Sequence, residues 1–344
     1  MARELDIQPG DRILVSRTDR LGDLILALPF VETLKLRYPE CRIDVLASLY
    51  ASPILENNPR IDGIARVQND QLIISRNYKK ELLRKIRRAG YKAVVVLYPE
   101  RRVSHLLYKA EVPNRIGTAG RLHSFLFNHH LYHSRKANRK HELEYNLDFL
   151  KFFRDGSTVI TPVVHPKDKE IHNARRILRE HGVSGDFAVI HPGSGGSAHA
   201  WSAENFLRVC PLLEKAGLQV IVSGTEEEGR RYEELAGELD IRLRMITGRT
   251  ELRTLAAVLA QARVVIANST GPLHLAAAVG TRVVGLYPLQ KVMSPRRWGP
   301  RGAGHRVIQP ASPDCQCPPG NCTCMTTISI ERVAAEALAA IGEM

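Results

Sequence analysis

Short apolar runs rich in β-branched residues alternate with amphipathic helical segments through the second half of this chain. The runs and the helical patterns occur, in chain order, at residues 187–191, 203–216, 218–222, 226–234, 251–261, 263–267, 272–279 and 282–286. Runs that are apolar throughout are typical of strands buried on both faces, and the helices between them serve as crossovers. This half therefore predicts an α/β domain with a doubly wound parallel sheet.

The first half repeats the pattern less regularly, and the pattern weakens between residues 100 and 140. Its strand runs and helical patterns occur at 12–16, 23–37, 42–47, 76–89 and 92–97. A stretch at 154–169, broken by Pro162 and Pro166, is the predicted hinge, because exposed proline-rich segments commonly separate domains. A length of 344 residues also fits two domains. We expect one domain at 1–160, a second at 161–325, and a final helix within 326–344.

The chain carries a formal net charge of +13, from 49 Lys and Arg against 36 Asp and Glu. An excess of this size indicates an anionic partner such as a nucleic acid, a membrane surface or a phosphorylated substrate, although a generally basic surface is the plainer alternative. Two stretches, 79–88 and 135–140, concentrate the charge. Aromatic residues make up 6% of the chain and no aromatic-basic RNA motif is found, which argues against a nucleic acid.

The sequence favours a cytoplasmic protein. No apolar run approaches the ~20 residues that are needed to cross a bilayer. Charged residues also occupy the N-terminal stretch, MARELDIQPGDRILVS, where a signal peptide would need its apolar segment.

Loops that follow strands are the candidate sites, because doubly wound sheets bind ligands beyond the carboxyl ends of their strands. Three such loops stand out, at 17–23, 192–197 and 268–274. In the first, Gly22 permits close backbone approach and Asp23 stands where a helical pattern begins. On spacing alone, the plainer interpretation is that Asp23 caps this helix. The loop lacks the dinucleotide pattern G-x-G-x-x-G, which disfavours a nicotinamide cofactor.

The loop at 268–274 opens a helix in the second domain. Pro272 suits the first helical turn, and Ser269 or Thr270 suits its cap. The exposed amides and the helix dipole favour an anion such as a diphosphate. His274, one turn into the helix, could add a donor toward the same anion. A well-capped helix with a core histidine is the alternative.

Several short motifs follow one another in a fixed order along the chain. They are Ile13-Leu14-Val15 with Gly22-Asp23 and Pro29, Tyr38-Pro39 with Ile43-Asp44-Val45-Leu46, His141-Glu142 with Asn146-Leu147-Asp148, His191-Pro192-Gly193-Ser194, Asn268-Ser269-Thr270-Gly271-Pro272-Leu273-His274 with Ala276-Ala277-Ala278 and Gly280, Trp298-Gly299-Pro300, and the stretch from Cys324-Met325 to Ile330. With these motifs, nearly the whole chain resembles glycosyltransferase family 9, the heptosyltransferase family of lipopolysaccharide core assembly.

The resemblance implies a GT-B fold, in which two Rossmann-like domains face one another across a cleft and the last helix returns toward the first domain. It also implies an inverting transfer that requires no metal or other cofactor. The position that matches the family's catalytic base is Asp23. It would take the proton of the acceptor hydroxyl as that oxygen attacks the anomeric carbon.

The resemblance further implies a nucleotide-sugar donor, with ADP-heptose as the expected one, bound by the second domain. Its expected contacts are Ser194, His199, Glu228, Ser269, Thr270, Gly271 and His274. His199 stands where many relatives carry lysine, and Ser269 stands where they often carry aspartate. Glu228 matches a position that is implied to hold the donor's ribose, although Glu226 and Glu227 leave the register open.

The implied acceptor is an anionic glycolipid, the inner core carried on lipid A, at the inner face of the inner membrane. Clustered Lys and Arg near such a surface each contribute about 1 kcal/mol of attraction. The basic residues expected on the acceptor side are Arg20, Arg135, Lys136, Arg139 and Lys140. The helix around 79–88 could contact the membrane surface or be a solvated face.

Four of the six cysteines form a C-x-C-x-x-x-x-C-x-C cluster: Cys315, Cys317, Cys322 and Cys324. Four thiolates could hold a structural zinc or iron, and stable disulfides are rare in the cytoplasm. Each C-x-C pair is tighter than the common zinc spacing C-x-x-C. A structural metal and a metal-free loop therefore both stay open.

Two alternative functions remain at this point. A nucleotide-sugar epimerase would use the same architecture without a lipid acceptor, and it would isomerise the donor unaided. A catalytically inactive binding paralogue would fit the departures at His199 and Ser269.

Overall fold

The computed structural model describes residues 4–120, 122–195, 199–311 and 323–342. The chain divides into two compact units, residues 1–165 and 166–344. The division lies inside the predicted hinge, at His165 rather than at residue 160. No helix in the described ranges is long and apolar enough to cross a membrane.

The first unit is built on a parallel sheet with the strand order β3-β2-β1-β4-β5-β6. Its strands in the described residues are β1 (Arg12–Arg17), β2 (Arg42–Ser48), β3 (Gly63–Val67), β4 (Ala93–Val96), β5 (Asn114–Thr118) and β6 (His129–Leu131). Ile13 of β1 is in register with Ile43 of β2 on one side and with Ala93 of β4 on the other. Residues 13–17 are all buried, as expected for a central strand that helices cover on both faces.

Six α-helices of the first unit are described, together with four 3₁₀-helices. The α-helices are α1 (Leu21–Ile25), α2 (Leu28–Arg37), α3 (Gln71–Ile74), α4 (Arg76–Ala89), α5 (Arg101–Lys109) and α6 (Glu142–Leu147). The 3₁₀-helices are Ser52–Leu55, Ser124–Leu126, Arg135–Ala137 and Asp148–Phe152.

The single helix predicted at 23–37 is instead two helices, α1 and α2. Pro29 has no backbone N–H to donate to the carbonyl of Ile25, so the helix cannot continue through it. The chain bends at Leu26 and Ala27 between the two helices. The side chain of Asn146 holds this bend by donating a hydrogen bond to the Leu26 carbonyl at 3.0 Å.

The second unit repeats the architecture with the strand order β12-β11-β10-β7-β8-β9. Its described strands are β7 (Phe187–His191), β8 (Gln219–Val222), β9 (Arg244–Met245), β10 (Val264–Asn268), β11 (Arg282–Leu286) and β12 (Arg306–Ile308). Its described helices are α7 (Asp168–Glu180), α8 (Ala203–Lys215), α9 (Glu226–Glu238), α10 (Leu252–Leu259), α11 (Gly271–Ala278), α12 (Pro295–Trp298), α13 (Ile330–Gly342) and the 3₁₀-helices Lys291–Met293 and Cys324–Thr327. The doubly wound α/β class predicted for both halves is confirmed.

The last helix, α13, packs against the second unit, on α8 and on strands β10, β11 and β12. Its buried face consists of Val333, Ala334, Ala337 and Ala340. Alanines at this spacing let a helix approach a neighbouring helix and sheet closely. The expected return of residues 326–344 toward the first domain stays a prediction.

In each sheet the strand order reverses beside the first strand of the unit, between β1 and β4 and between β7 and β10. Ligands of open α/β sheets bind in the crevice that such a reversal creates at the carboxyl ends of the strands. The loops that follow β1, β7 and β10 are the three loops singled out in the sequence. The topology of each unit therefore places them at the edge where a ligand is expected.

Candidate active site

Arg17, the last residue of β1, lies at the centre of a buried charge cluster. Its guanidinium, only 1% exposed, donates hydrogen bonds to Asp19 Oδ1 at 2.8 Å, Glu142 Oε1 at 3.1 Å and Asn146 Oδ1 at 3.0 Å. A further short hydrogen bond joins it to Asp23. β1 carries Arg17 to the carboxyl edge of the sheet, so acids from the following loop, from α1 and from α6 converge on one cation.

The far side of the cluster comes from α6 and from the 3₁₀-helix Arg135–Ala137. Glu142 and Asn146 are four residues apart on α6 and therefore share one helix face. Arg135 donates to Glu142 Oε1 at 2.9 Å and to the Leu97 carbonyl at 3.0 Å. Glu142, whose side chain is fully buried, thus bridges both guanidinium groups. The sequence analysis assigned no role to Arg17, Glu142 or Asn146. A charged or amide residue within a segment that is otherwise predicted to be buried is the sequence feature that could have indicated them.

Asp23 is the third residue of α1, whose N-cap position is occupied by Arg20. Its carboxylate is turned to Arg17, and its side chain is 13% exposed. Burial raises the pKa of Asp23 to about 7; Arg17 opposes this rise, whereas the negative charges of Asp19 and Glu142 add to it. A carboxylate with a pKa near the working pH can accept a proton in a reaction and release it again. Asp23 is therefore a carboxylate that could exchange a proton near neutral pH.

The basic residues predicted for the acceptor side are divided by the structure. Arg20, Arg139 and Lys140 are exposed on the first unit. Arg135 is only 6% exposed, because its guanidinium is held inside the charge cluster, so the structure gives it a supporting position and not a surface one. The side chain of Lys136 lies outside the described part of the chain.

In the second unit, Asn268 joins the loops that follow β7 and β10. Its buried side chain accepts a hydrogen bond from the Trp201 amide at 2.9 Å and donates one to the Pro192 carbonyl at 2.9 Å. Ser194 and the half-buried His199 lie in the segment between these two contacts, of which residues 196–198 are outside the described ranges. The two loops that were predicted to bind the donor are therefore held against each other.

The first turn of α11 is not capped as the sequence predicted. Thr270 occupies the N-cap position, but its hydroxyl donates to the Asn268 carbonyl at 3.2 Å and makes no bond to the helix. Ser269, the other predicted capping residue, lies beside the buried phenol of Tyr287. No side-chain cap thus neutralises the N-terminus of α11 in the described structure, and its partial positive charge can attract an anion. His274 is buried one turn further along.

Glu228, in the first turn of α9, closes a capping box. Its Oε2 accepts from the Thr225 amide at 2.8 Å, and its own amide donates to Thr225 Oγ1 at 3.2 Å. The other oxygen, Oε1, lies so close to Gly193 that a Cβ added there would be 2.2 Å away. His191 is hydrogen-bonded to Ser223 at 3.0 Å, and burial lowers its pKa to about 4 against the opposing charge of Glu228. A neutral histidine and a fixed carboxylate therefore line the ends of β7 and β8.

Three of the four clustered cysteines, Cys315, Cys317 and Cys322, lie outside the described residues. The fourth, Cys324, begins the 3₁₀-helix Cys324–Thr327 and packs half-buried against the apolar core of the second unit. The described residues thus leave the predicted choice between a structural metal and a metal-free loop open.

Comparison with known proteins gives one consistent family. The model of glycosyltransferase family 9 (heptosyltransferase) matches residues 80–320. A putative glycosyltransferase of Haemophilus influenzae is 30% identical over 304 residues, which cover 84% of this chain and 86% of that protein. Among solved structures, the family 9 glycosyl transferase of Veillonella parvula has a TM-score of 0.86 at 22% identity and covers 99% of this chain and 100% of that one. Escherichia coli ADP-heptose lps heptosyltransferase II has a TM-score of 0.77 at 20% identity, covering 97% and 99%.

The fold and the family model now agree with the sequence motifs. Two units with six-stranded parallel sheets are described, and their likeness to these structures identifies the fold as GT-B. The family match covers well over half of the chain. The protein is a glycosyltransferase and belongs to glycosyltransferase family 9, the heptosyltransferase family.

Proposed function

We propose that this enzyme transfers a heptose from ADP-heptose to an anionic glycolipid acceptor, the inner core of lipopolysaccharide, with inversion at the anomeric carbon. The observation that carries the proposal is the buried Asp23 carboxylate, whose pKa of about 7 suits a general base. The choice of donor and acceptor is supported by the relatives, among them the ADP-heptose lps heptosyltransferase II of E. coli.

In the proposed reaction Asp23 takes the proton of the acceptor hydroxyl while that oxygen forms a bond to the anomeric carbon. The bond from that carbon to the diphosphate oxygen breaks at the same time, and ADP leaves with the electron pair. Attack from the face opposite the leaving group inverts the configuration. Arg17 orients Asp23, because its guanidinium is itself fixed by Glu142 and Asn146.

The donor is assigned to the second unit. The uncapped first turn at Thr270 and Gly271 would receive the diphosphate and stabilise the charge that develops on the leaving ADP. Ser194, His199, Ser269 and His274 belong to the same two loops or to the helix that follows them. Glu228 is the candidate for the ribose hydroxyls. The proposed step uses no metal, and any metal at the cysteine cluster would be structural.

The acceptor is assigned to the first unit, beside Asp23. The exposed cations Arg20, Arg139 and Lys140 would meet its phosphate and carboxylate groups. An acceptor carried on lipid A places the enzyme in the cytoplasm, bound peripherally at the inner face of the inner membrane. The net charge of +13 supports attraction to that anionic surface.

The test is product analysis by mass spectrometry with ADP-heptose and a heptose-deficient lipopolysaccharide acceptor. The proposal requires one added heptose on the acceptor and stoichiometric release of ADP. Isomerisation of the donor in the absence of acceptor would instead identify an epimerase. Thermal stabilisation by ADP, UDP, GDP and CMP, measured in parallel, tests which nucleobase the donor carries. A rise in melting temperature with UDP or GDP alone would reject ADP-heptose. No shift and no product would identify an inactive paralogue.

A further inference from the structure

A groove on the first unit lies between α3, α4, α5 and the 3₁₀-helix Ser124–Leu126. It encloses about 700 Å³, within the range of roughly 300–1,000 Å³ that is typical of ligand sites. The apolar part of its lining is formed by Leu72, Ile73, Leu83, Leu106, Phe125 and Leu126. None of the described residues that line it belongs to the Arg17 cluster, so the groove is a separate feature of this unit.

The rim of this groove is cationic. Its six Lys and Arg side chains, all exposed, are Arg76, Lys79, Lys80, Arg101, Arg102 and Lys109. The described lining contains no Asp or Glu. Arg102 forms an ion pair with Glu100 at 3.7 Å, and within the described residues the other five form none. Uncompensated charge of one sign around a concave surface attracts a partner of the opposite sign.

Large apolar side chains project beside the same rim. Ile73 is 52% exposed, Ile74 is 74% exposed and Phe125 is 71% exposed. Single exposed apolar residues are ordinary, but a group of them next to a cationic rim is typical of surfaces that enter the headgroup layer of a membrane. A nucleic acid would match the charge but would offer no apolar phase to Ile73 and Ile74.

We infer that the groove is the face that docks this enzyme on an anionic lipid bilayer. The cationic rim binds lipid phosphates, and Ile73, Ile74 and Phe125 enter the boundary between headgroups and acyl chains. The inference rests on the proposed activity toward a membrane-borne acceptor. A hydrogen bond from Asn69 Nδ2 to the Thr18 carbonyl, at 3.0 Å, ties the segment before α3 to the loop that leads into α1. Docking at the groove therefore brings the Asp23 loop near the lipid surface.

The test is co-sedimentation of the full-length protein with vesicles of phosphatidylglycerol and phosphatidylcholine, and with vesicles of phosphatidylcholine alone. The wild type is expected to bind the anionic vesicles and not the neutral ones. The variant Lys79→Gln/Lys80→Gln should bind about thirtyfold more weakly, which corresponds to about 2 kcal/mol at roughly 1 kcal/mol for each cation. The matched control is Arg84→Gln/Arg88→Gln, which removes two exposed charges of the same helix outside the groove and should retain most of the binding.

A second pair of variants tests the apolar contact under high salt, where the charge attraction is screened. Ile74→Ser should reduce the remaining binding severalfold, whereas Ile160→Ser, which replaces another exposed isoleucine, should not. Transfer of heptose to a detergent-dispersed acceptor should be unchanged in all four variants, because this acceptor is not carried on a bilayer. Failure of the wild type to transfer heptose to it would count against the proposed function and not against docking. Equal losses in the groove variants and their controls, or binding of the groove to RNA but not to vesicles, would overturn the inference.

Discussion

At the scale of single residues, the pKa of the candidate base Asp23 depends on the buried guanidinium of Arg17, which faces several acids at once. Arg17 faces Asp19, Asp23 and Glu142, so no one acid is fully compensated by it. Glu142 is fully buried and also bound by Arg135, whereas the side chain of Asp23 is 13% exposed and that of Asp19 is 20% exposed. Burial raises the pKa of Asp23; Arg17 opposes this rise, and the charges of Asp19 and Glu142 add to it. The hydrogen bond from Arg17 fixes the carboxylate in place.

Replacing Asp23 by Asn should lower the rate of transfer by about 10²–10⁴-fold, the usual contribution of a positioned general base. The amide oxygen can still accept from Arg17, so donor affinity should stay near that of the wild type. The measurement is kcat/KM together with the dissociation constant of ADP. A variant with full activity would remove Asp23 from the mechanism.

The pH profile provides a matched test, because only the ionised form of Asp23 can act as a base. The kcat/KM of the wild type should fall as the pH drops below about 7. Asp19 adds negative charge that raises the pKa of Asp23, so Asp19→Asn should move this acidic limb to lower pH while activity at high pH is retained. An unchanged limb in Asp19→Asn would show that another group controls it.

Glu142 should be important for stability as well as for positioning. Glu142→Gln removes the charge between two buried guanidinium groups, and breaking such a buried pair costs about 3–5 kcal/mol of unfolding free energy. The control is Glu204→Gln, which breaks an exposed pair with Arg208 and should cost less than about 1 kcal/mol. Urea denaturation measures both. Equal losses of unfolding free energy in the two variants would mean that the charge cluster contributes no more to stability than a surface ion pair.

The sequence predicted Asp23 but not the partners that tune it, and the reason is physical. Asp23 is visible because it follows a clear strand and a glycine. Glu142 and Asn146 reach Arg17 across more than a hundred residues, and they follow the stretch at 100–140 where the periodic pattern weakens. Contacts of that range are set by the sheet order, which local spacing does not contain.

At the scale of elements, the central strands and long helices were the predictable part of the fold. β7, β11 and α4 have the bounds that the apolar runs and the helical pattern gave. The strands that the sequence analysis did not predict lie toward the edges of the sheets. Three of them, β6, β9 and β12, have only two or three residues and include His or Arg. Short, polar edge strands carry little pattern of their own, because pairing with a neighbour holds them in place.

The contact between Gly193 and α9 offers a test of the donor site at this scale. In Gly193→Ala the new Cβ would be 2.2 Å from Glu228 Oε1, so the carboxylate must leave both its place and its capping box. ADP affinity should fall about tenfold, which is the effect of losing one hydrogen bond of roughly 1.4 kcal/mol. Calorimetric titration measures it. Gly185→Ala is the control, since its nearest neighbour is 4.0 Å away; equal affinities in both variants would exclude Glu228 from the donor site.

At the scale of the whole molecule, the two units have the same sheet architecture but different local chemistry. The first unit contains the carboxylate cluster and the cationic groove, and the second contains the uncapped helix N-terminus and the Glu228 carboxylate. This difference supports a division of labour, with the acceptor and the membrane assigned to the first unit and the donor to the second. Such a division predicts that a bound nucleotide stabilises the second unit more than the first.

Hydrogen exchange with ADP tests this division. ADP at a hundred times its dissociation constant adds about 2.7 kcal/mol to the stability of the elements it binds, and amides that exchange through their opening should slow about a hundredfold. The slowing should appear in the loops after β7, β8 and β10 and in the first turn of α11, and not in β1 or α1. Asp23→Asn should show the same protection as the wild type, and UDP should give none. Protection by ADP confined to residues 4–120 would reverse the assignment of donor and acceptor to the two units.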